Sequence, residues 1–375
     1  MLDTLELRRL AELDTRPHPT LSLYLALDQP RESRLLALSQ LLKRKEQQMS
    51  GNGAAEAWKG LAPDQDRILR YVEELPAGPH RGLVLFACAA RQIFEPYTLS
   101  LSVPNLLEVG TTPFIRPITA LASDHRRTMT VLLDRRKARF FEGFMGVVQE
   151  DHGLEANNEA LAPARDGDQG RAGDNYLSRK AEEALGRYYK QIVQQLMEQF
   201  KARGCEELLV AGSKSRVEDF LPHLHQYLAQ KMAGSFTCDV NAPLAQVTEE
   251  ISQAQAQARR QRQERLLANL ADNLGPGGQA ATGLNQVLAA LHDGRVHTLL
   301  VSRGFSQPGG ACPSCGRLRH QAGDCPLCGE AMLKVDDIVN RAMARALDSG
   351  AVLEQVEAGS ALDGMGHIAA LLRYA

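Results

Sequence analysis

Two cysteine pairs, Cys312-Pro-Ser-Cys315 and Cys325-Pro-Leu-Cys328, stand nine residues apart, and each is followed by a glycine, Gly316 and Gly329. No other feature restricts the chain as much. Each Cys-Pro-x-Cys-Gly turn bends the backbone so that two thiolates face one point, and two such turns complete a tetrahedral sulfur site for one Zn2+. Four thiolates leave no open coordination position, so the expected metal is structural. An iron–sulfur cluster is the alternative, and paired turns of this kind suit it less well. His320 lies between the pairs and offers another ligand, but four cysteines already suffice. Cys88, Cys205 and Cys238 are scattered among apolar or small residues and are expected to be buried thiols.

Length and composition set the wider frame. A chain of 375 residues exceeds one ordinary core, so two or three domains are expected. Hydrophobic residues at 44% and charged residues at 23% suit a globular protein in water. No uncharged apolar stretch reaches the roughly 18 residues of a membrane span. The opening MLDTLELRRLAELD reads as a charged amphipathic helix without the apolar core of a signal peptide. A cytoplasmic location follows, with no membrane partner, and in that compartment four clustered thiols favour metal over disulfides. The net charge of −2 does not indicate nucleic-acid binding, and DNA is not an expected partner. Arginines are nevertheless concentrated: Arg126, Arg127, Arg135, Arg136, Lys137 and Arg139 crowd one segment, and Arg259, Arg260, Arg262 and Arg265 another. Such patches can hold phosphates, or can simply be solvated faces.

Hydrophobic periodicity divides the chain into three regions, 1–123, 124–246 and 247–375, with a ribbon at 310–331. In the first, TLSLYLAL (20–27) and GLVLFACA (82–89) read as strands, and 32–48 as a basic amphipathic helix. In the second, 128–133 and 138–144 read as strands joined by a basic Asp-Arg-Arg-Lys turn. A long polar segment, 151–174, follows. It is expected to be mobile in the free protein. A helix from Tyr176 to about Arg203 comes next, with Leu185, Tyr189, Ile192, Val193 and Leu196 on one face. ELLVAG (207–212) reads as a strand and 217–232 as a helix. The third region opens with an Arg- and Gln-rich helix, 249–274, and continues with a helix at 283–292 and a strand at 297–302. Beyond the ribbon come a helix closed by Gly350, a strand and an apolar terminus. Alternating strands and helices in each region predict an α/β (α+β) fold.

The chain resembles the archaeal and eukaryotic class-one release factor and Pelota superfamily. Gly294-Arg-Val-His-Thr-Leu-Leu-Val-Ser302 is similar to a family strand reading GAVxxLLVS. Gly366-His-Ile-Ala-Ala-Leu-Leu-Arg-Tyr374 is similar to the terminal GGIAALLRY. TVLLDRRKARFFEG, NYLSRKAEEALGRYYKQIVQQL and ELLVAGSKSRVEDFL resemble segments of the family's central domain. SLYLAL and RGLVLF resemble its N-terminal domain less specifically. The resemblance implies a three-domain arrangement with a zinc ribbon inserted in the C-terminal domain. It also implies an N-terminal domain at the decoding centre, a central domain reaching the peptidyl transferase centre, and a C-terminal domain that binds a translational GTPase such as elongation factor Tu. The implied partner is the ribosomal A site, with rRNA of both subunits. Bacterial members include release-factor-like proteins and ribosome hibernation factors of the Balon type.

Release factors hydrolyse peptidyl-tRNA through a Gly-Gly-Gln loop before the long central helix. Here that loop, 166–173, reads DGDQGRAG, and Gln169 with Gly170 is the nearest counterpart. Gly277-Gly278-Gln279 lies elsewhere and is expected to be an interhelical connection, rich in glycine for backbone reasons. The stop-codon string NIKS is absent. The family's YxCxxxF, aligned on Phe114, falls on Glu108 and Gly110. No nucleotide-binding or zinc-protease motif is present. Ser213-Lys214-Ser215 reads as a strand-end turn, and His223 and His225 are poorly spaced for one metal. The expectation is a hibernation-type factor that holds the A site without stop-codon reading or hydrolysis. A rescue hydrolase acting through Gln169 and a free RNA-binding protein are the alternatives. Candidate ribosome contacts are Arg135, Arg136, Lys137, Gln169, Gly170, Arg171 and Arg179.

Overall fold

Short apolar runs bounded by Gly, Pro and Asp form the strands of this chain, and longer periodic stretches form its helices. The structure, a computed structural model, describes the backbone of residues 4–51, 54–76, 78–155, 171–275 and 277–374, and the side chains of these except 4, 5 and 155–181. The class is mixed α/β, as the sequence predicts, with four sheets among the described residues. Two compact units result, one formed by 1–123 with 263–375 and the other by 124–262.

The N-terminal segment contains α1 (Thr4–Glu12), β1 (Thr20–Ala26), α2 (Arg31–Gln48), α3 (Ala54–Gly60), α4 (Ala62–Glu74), β2 (Gly82–Cys88), β3 (Ile93–Leu99), β4 (Leu106–Gly110) and α5 (Arg116–Asp124). Its sheet is antiparallel in the order β3-β2-β1-β4. Both faces are covered. Leu21, Leu23 and Leu25 pack with Leu38, Trp58 and Ile68 of α2, α3 and α4. Tyr24, Val84 and Phe86 face Leu10 of α1 and Ile118 of α5. Period-two alternation therefore separates two buried faces here rather than a buried one from a wet one.

The second unit contains β5 (Thr128–Leu133), β6 (Lys137–Phe144), β7 (Val147–Glu155), α6 (Arg171–Ala202), β8 (Glu207–Gly212), α7 (Lys214–Phe220), α8 (Gln226–Gln230), β9 (Met232–Thr237) and the first part of α9 (Leu244–Asp272). Its sheet runs β7-β6-β5-β8-β9, with β5, β8 and β9 parallel. Tyr188, Tyr189, Ile192, Leu196 and Phe200 of α6 cover one face. Val247 and Ile251 of α9 cover the other, against Leu132, Phe141 and Ala211. Two expectations are corrected. The polar segment does not begin at 151, because β7 runs to Glu155 as the antiparallel edge partner of β6, and α6 already starts at Arg171. The stretch 217–232 is not one helix. Pro222 lacks the amide a helix interior needs, so α7 tightens into a 3-10 turn, and His225 starts α8 by accepting the Tyr227 amide at 3.1 Å.

The rest of the first unit contains β10 (Ala280–Thr282), α10 (Gly283–His292), β11 (Val296–Ser302), β12 (Gly309–Ala311), β13 (Leu318–Arg319), β14 (Leu333–Val335), α11 (Ile338–Asp348), β15 (Val352–Val356) and β16 (Ile368–Leu372). One sheet is ordered β10-β16-β11-β15, and the ribbon forms a second, β13-β12-β14. Helices α10 and α11 pack on the larger sheet through Val287, Leu291, Ile338, Ala342 and Met343. The opposite side of α11 supplies Ala344 and Leu347 to the N-terminal core.

Polar groups lock this junction. Asp337 caps α11 through the amides of Val339 and Asn340, at 3.0 and 3.2 Å, and pairs with the buried Arg116 guanidinium at 2.7 Å. The Asn340 carboxamide accepts the Ile115 amide at 3.1 Å and donates to the Pro113 carbonyl at 3.1 Å. From the other side, Ser22 accepts the Phe114 amide at 3.0 Å and Tyr24 donates to the Phe114 carbonyl at 2.5 Å. Gln355 of β15 donates to the Arg116 carbonyl and to Thr119, each at 2.8 Å. Replacing Asn340 by alanine strands two buried main-chain groups. Unfolding of the first unit in urea is expected to show a loss of about 2–4 kcal/mol, and a loss under about 1 kcal/mol would contradict this account.

Candidate functional site

The ribbon is built from two near-identical turns. Cys312 accepts the Gly316 amide at 3.0 Å and donates its own amide to Arg317, while Cys325 accepts the Gly329 amide at 2.8 Å and donates to Glu330. Gly316 and Gly329 both adopt the left-handed conformation that closes such a turn, with φ of 70° and 75°. The four sulfurs lie within 4.8 Å of one another. Measured edges are 3.4 Å for Cys312–Cys328, 3.5 Å for Cys315–Cys325 and 3.8 Å for Cys315–Cys328. A tetrahedral Zn–S4 site with bonds of ~2.3 Å has edges of about 3.8 Å, so the thiolates fit a metal ion such as zinc.

Main-chain amides favour the ionised form at two of the sulfurs. The Cys328 and then the Leu327 amide bring the Cys325 thiol down to about 6, and the Cys315 amide lowers Cys312. The module has almost no core of its own, since its buried cluster is Cys312, Cys325 and Met332 with Cys315 beside them. His320 is not among the clustered ligands. Cys88, Cys205 and Cys238 are buried, and burial pushes Cys205 up to about 12, as expected of inert thiols.

Part of the arginine-rich segment turns inward. Arg139 is buried on β6, where it grips Glu150 with two bonds of 2.6 and 2.8 Å and donates to the carbonyls of Val240 and Ala242. Arg127 pairs with Glu142 and lies 4.1 Å from the Phe144 ring centre, and Arg203 joins Glu142 to Asp151. Arg259 and Arg262, from the other cluster, pair with Asp124 and Glu207. Arg135 and Arg136 instead stand exposed at the tip of the β5–β6 turn. Asp134 builds that tip, since one carboxylate oxygen accepts the amides of Arg136 and Lys137, each at 2.7 Å.

Register shows what the tip adjoins. Lys137 pairs with Glu155 and Leu133 with Gly212, so the turn, the end of β7 and the end of β8 share one end of the sheet. Strand β7 finishes there at Glu155, and Gln169 follows in the sequence. Gln169 and Gly170 lie outside the described residues, and Arg171 and Arg179 are placed as backbone of α6. Lys214, exposed after β8, belongs to the same end. Its motif reads as a strand-end turn, and only the register, absent from the sequence, links it to the basic tip.

Gly277-Gly278-Gln279 serves the backbone, although it leads into β10 rather than directly into a helix. A side chain on Gly278 would stand 2.1 Å from the Asn273 carbonyl oxygen. The Gln279 carbonyl accepts the Leu372 amide at 2.8 Å, extending the β10–β16 ladder.

Elemental analysis of freshly purified protein is expected to find about one metal equivalent per chain, and less than about half would count against the four-thiolate site. Cys315→Ser is expected to lose the metal and expose the ribbon to proteolysis, while the 124–262 unit resists as before. Equal proteolysis of both units would remove the ribbon's local role.

Comparison with known proteins places this geometry. Residues 113–256 match the model of bacterial archaeo-eukaryotic release factor family 10. No curated protein sequence matches the chain. Among solved structures, the chain is similar to an archaeal translation termination factor, at 18% identity over 100% of this chain and 99% of that one, with a TM-score of 0.27. It is also similar to the C-terminal domain of a peptide chain release factor from Methanosarcina mazei, at 27% identity over 36% of this chain and 98% of that domain, with a TM-score of 0.25. An archaeal Pelota in a ribosome-bound model is similar at 16% identity over 99% of this chain and 94% of that one, with a TM-score of 0.40. The family match covers the whole five-stranded sheet together with the basic turn and the segment of Gln169. Over residues 113–256 the chain thus resembles bacterial archaeo-eukaryotic release factor family 10.

Proposed function

We propose that the chain is a ribosome-binding translation factor that occupies the A site as a mimic of tRNA and release factors. It acts by occupancy, as hibernation factors do, with neither stop-codon reading nor peptidyl-tRNA hydrolysis. One observation carries this reading: the family-matched segment pairs Arg127, Arg139, Arg203 and Arg216 with its own carboxylates yet exposes Arg135 and Arg136, at the sheet end where β7 finishes. Exposed charged side chains on a built turn suit phosphate contact. The Gly-Gly-Gln string at 277–279 is engaged in main-chain structure, which supports a role without release chemistry.

In this reading 1–123 faces the decoding centre, 124–246 reaches the peptidyl transferase centre, and 247–375 receives a translational GTPase such as elongation factor Tu. Arg135, Arg136 and Lys137, with Gln169, Gly170, Arg171 and Arg179, contact rRNA. Cys312, Cys315, Cys325 and Cys328 hold one structural zinc ion. No helix among the described residues is long and apolar enough to cross a membrane, which accords with a factor working in the cytoplasm.

Cosedimentation with purified ribosomes over a salt series tests the proposal. Arg135→Glu with Arg136→Glu is expected to weaken binding and to lower the salt slope by about 2, one for each phosphate that the variant no longer neutralises. Gln169→Ala, which removes no charge, is expected to keep the wild-type salt slope, and neither protein to release peptide from loaded ribosomes. Unchanged binding by the double variant would refute the role of the turn. Peptide release by the wild type that Gln169→Ala abolishes would replace occupancy with a rescue hydrolase.

A further inference from the structure

A cleft of about 580 Å3 opens in the first unit between the ribbon and the N-terminal segment. Its walls are largely apolar, formed by Pro17, Pro313, Leu333 and Val335, and Leu333 is 49% exposed. One wall is β14, which pairs with β12 on one side and is the edge of its sheet. Edge strands that leave main-chain groups unpaired accept a further strand.

Arg341 of α11 also reaches into this cleft. Its Nη2 donates to the Thr111 hydroxyl at 2.7 Å, and among the described residues it forms no ion pair. Nearby Asp14 is engaged by Arg16, another lining residue. Burial, followed by the charge of Arg16, lowers the Arg341 pKa, so the cation is held there at a cost that a carboxylate would offset. Lys334 on the edge strand is exposed and adds a second positive charge.

We propose that this cleft is a docking site for an extended acidic peptide of a partner protein, which adds to the β14 edge and sets a carboxylate on Arg341. Its apolar side chains lie against Leu333, Pro313 and Pro17. Single-stranded RNA fits less well, because it is held by aromatic platforms and a basic track, and no aromatic residue lines the cleft. The site belongs to the unit of 1–123 and 263–375 and is independent of the basic turn and of the ribosome reading.

A displayed library of random dodecapeptides, selected on the full chain and counter-selected on the Arg341→Gln chain, provides the probe. Recovered peptides are expected to share an aspartate or glutamate with apolar residues at alternate positions. Synthetic copies, read by fluorescence anisotropy, are expected to bind Arg341→Gln at least tenfold more weakly. N-methylation of alternate peptide amides is expected to weaken binding as much. Metal content and thermal unfolding establish that Arg341→Gln is folded. Should it not fold, Leu333→Asp on the exposed edge is expected to give the same loss without disturbing α11. Failure to enrich any peptide, equal binding to both variants, tolerance of N-methylation, or displacement by a lower concentration of an RNA dodecamer would each overturn the proposal.

Discussion

The carboxamide of Asn340 satisfies two main-chain groups of one short segment, the Pro113 carbonyl and the Ile115 amide. Between them, Phe114 is held from the opposite side by Ser22 and Tyr24 of the N-terminal sheet. Residues 113–115 thus form a strap whose polar groups are bonded alternately to strand β1 and to helix α11. Because Pro113 and Ile115 are buried and Phe114 is half-buried, each of those groups would incur a desolvation penalty if left unmet. This makes the junction specific as well as stable. Apolar contacts from Ala344 and Leu347 could slide by a turn, whereas the hydrogen bonds of Asn340, Asp337 and Gln355 admit one register. Segments far apart in sequence become one folded unit through this strap, and the 124–262 unit is inserted between them.

The ribbon solves a related problem by different means. Its strands are two or three residues long and its buried cluster is mostly the ligand sulfurs themselves, so area burial can supply little stability. Four thiolates gathered on one point repel one another unless a cation joins them. The amides that favour ionised Cys312 and Cys325 prepare the site for that cation. A metal ion bound here would therefore supply folding free energy to a module that lacks a core of its own.

Much of this was legible in the sequence because it rested on local rules. The cysteine spacing, the face of α6 formed by Tyr189, Ile192 and Leu196, and the buried runs at 82–88 and 207–212 all emerged where periodicity placed them. Strand β7 escaped because its composition is polar, and it exists only through its pairing with β6. The arginine cluster misled in a similar way. One-dimensional crowding cannot separate Arg139, buried on Glu150 and two carbonyls, from Arg136, exposed one turn away. The strap was invisible for the same reason, since Asn340 and Gln355 read as ordinary helix and strand residues until their partners more than 220 positions away are known.

His367 shows how a departure from a family pattern can be absorbed locally. The terminal string it occupies resembles one with glycine at that position, and the backbone explains the preference, because His367 has φ of 63°. A side chain there is strained, at roughly 1–2 kcal/mol for a non-glycine residue. The imidazole offsets this through a contact of 3.0 Å between Nδ1 and Asp363 and by stacking on Phe305 with ring centres 5.1 Å apart. Asp363 is itself fixed by Ser302 at 2.7 Å and by the Gly359 amide at 2.6 Å, and these bonds, Ser302 first, hold its carboxyl below the usual range. Ser302 ends β11, and its amide is bonded to the His367 carbonyl at 2.8 Å, so the network closes on the strand pair it supports. The backbone requirement of the turn is thus retained while its usual residue is not. A motif read only as letters would score that position as a mismatch, although His367 adopts the left-handed conformation that glycine takes without strain.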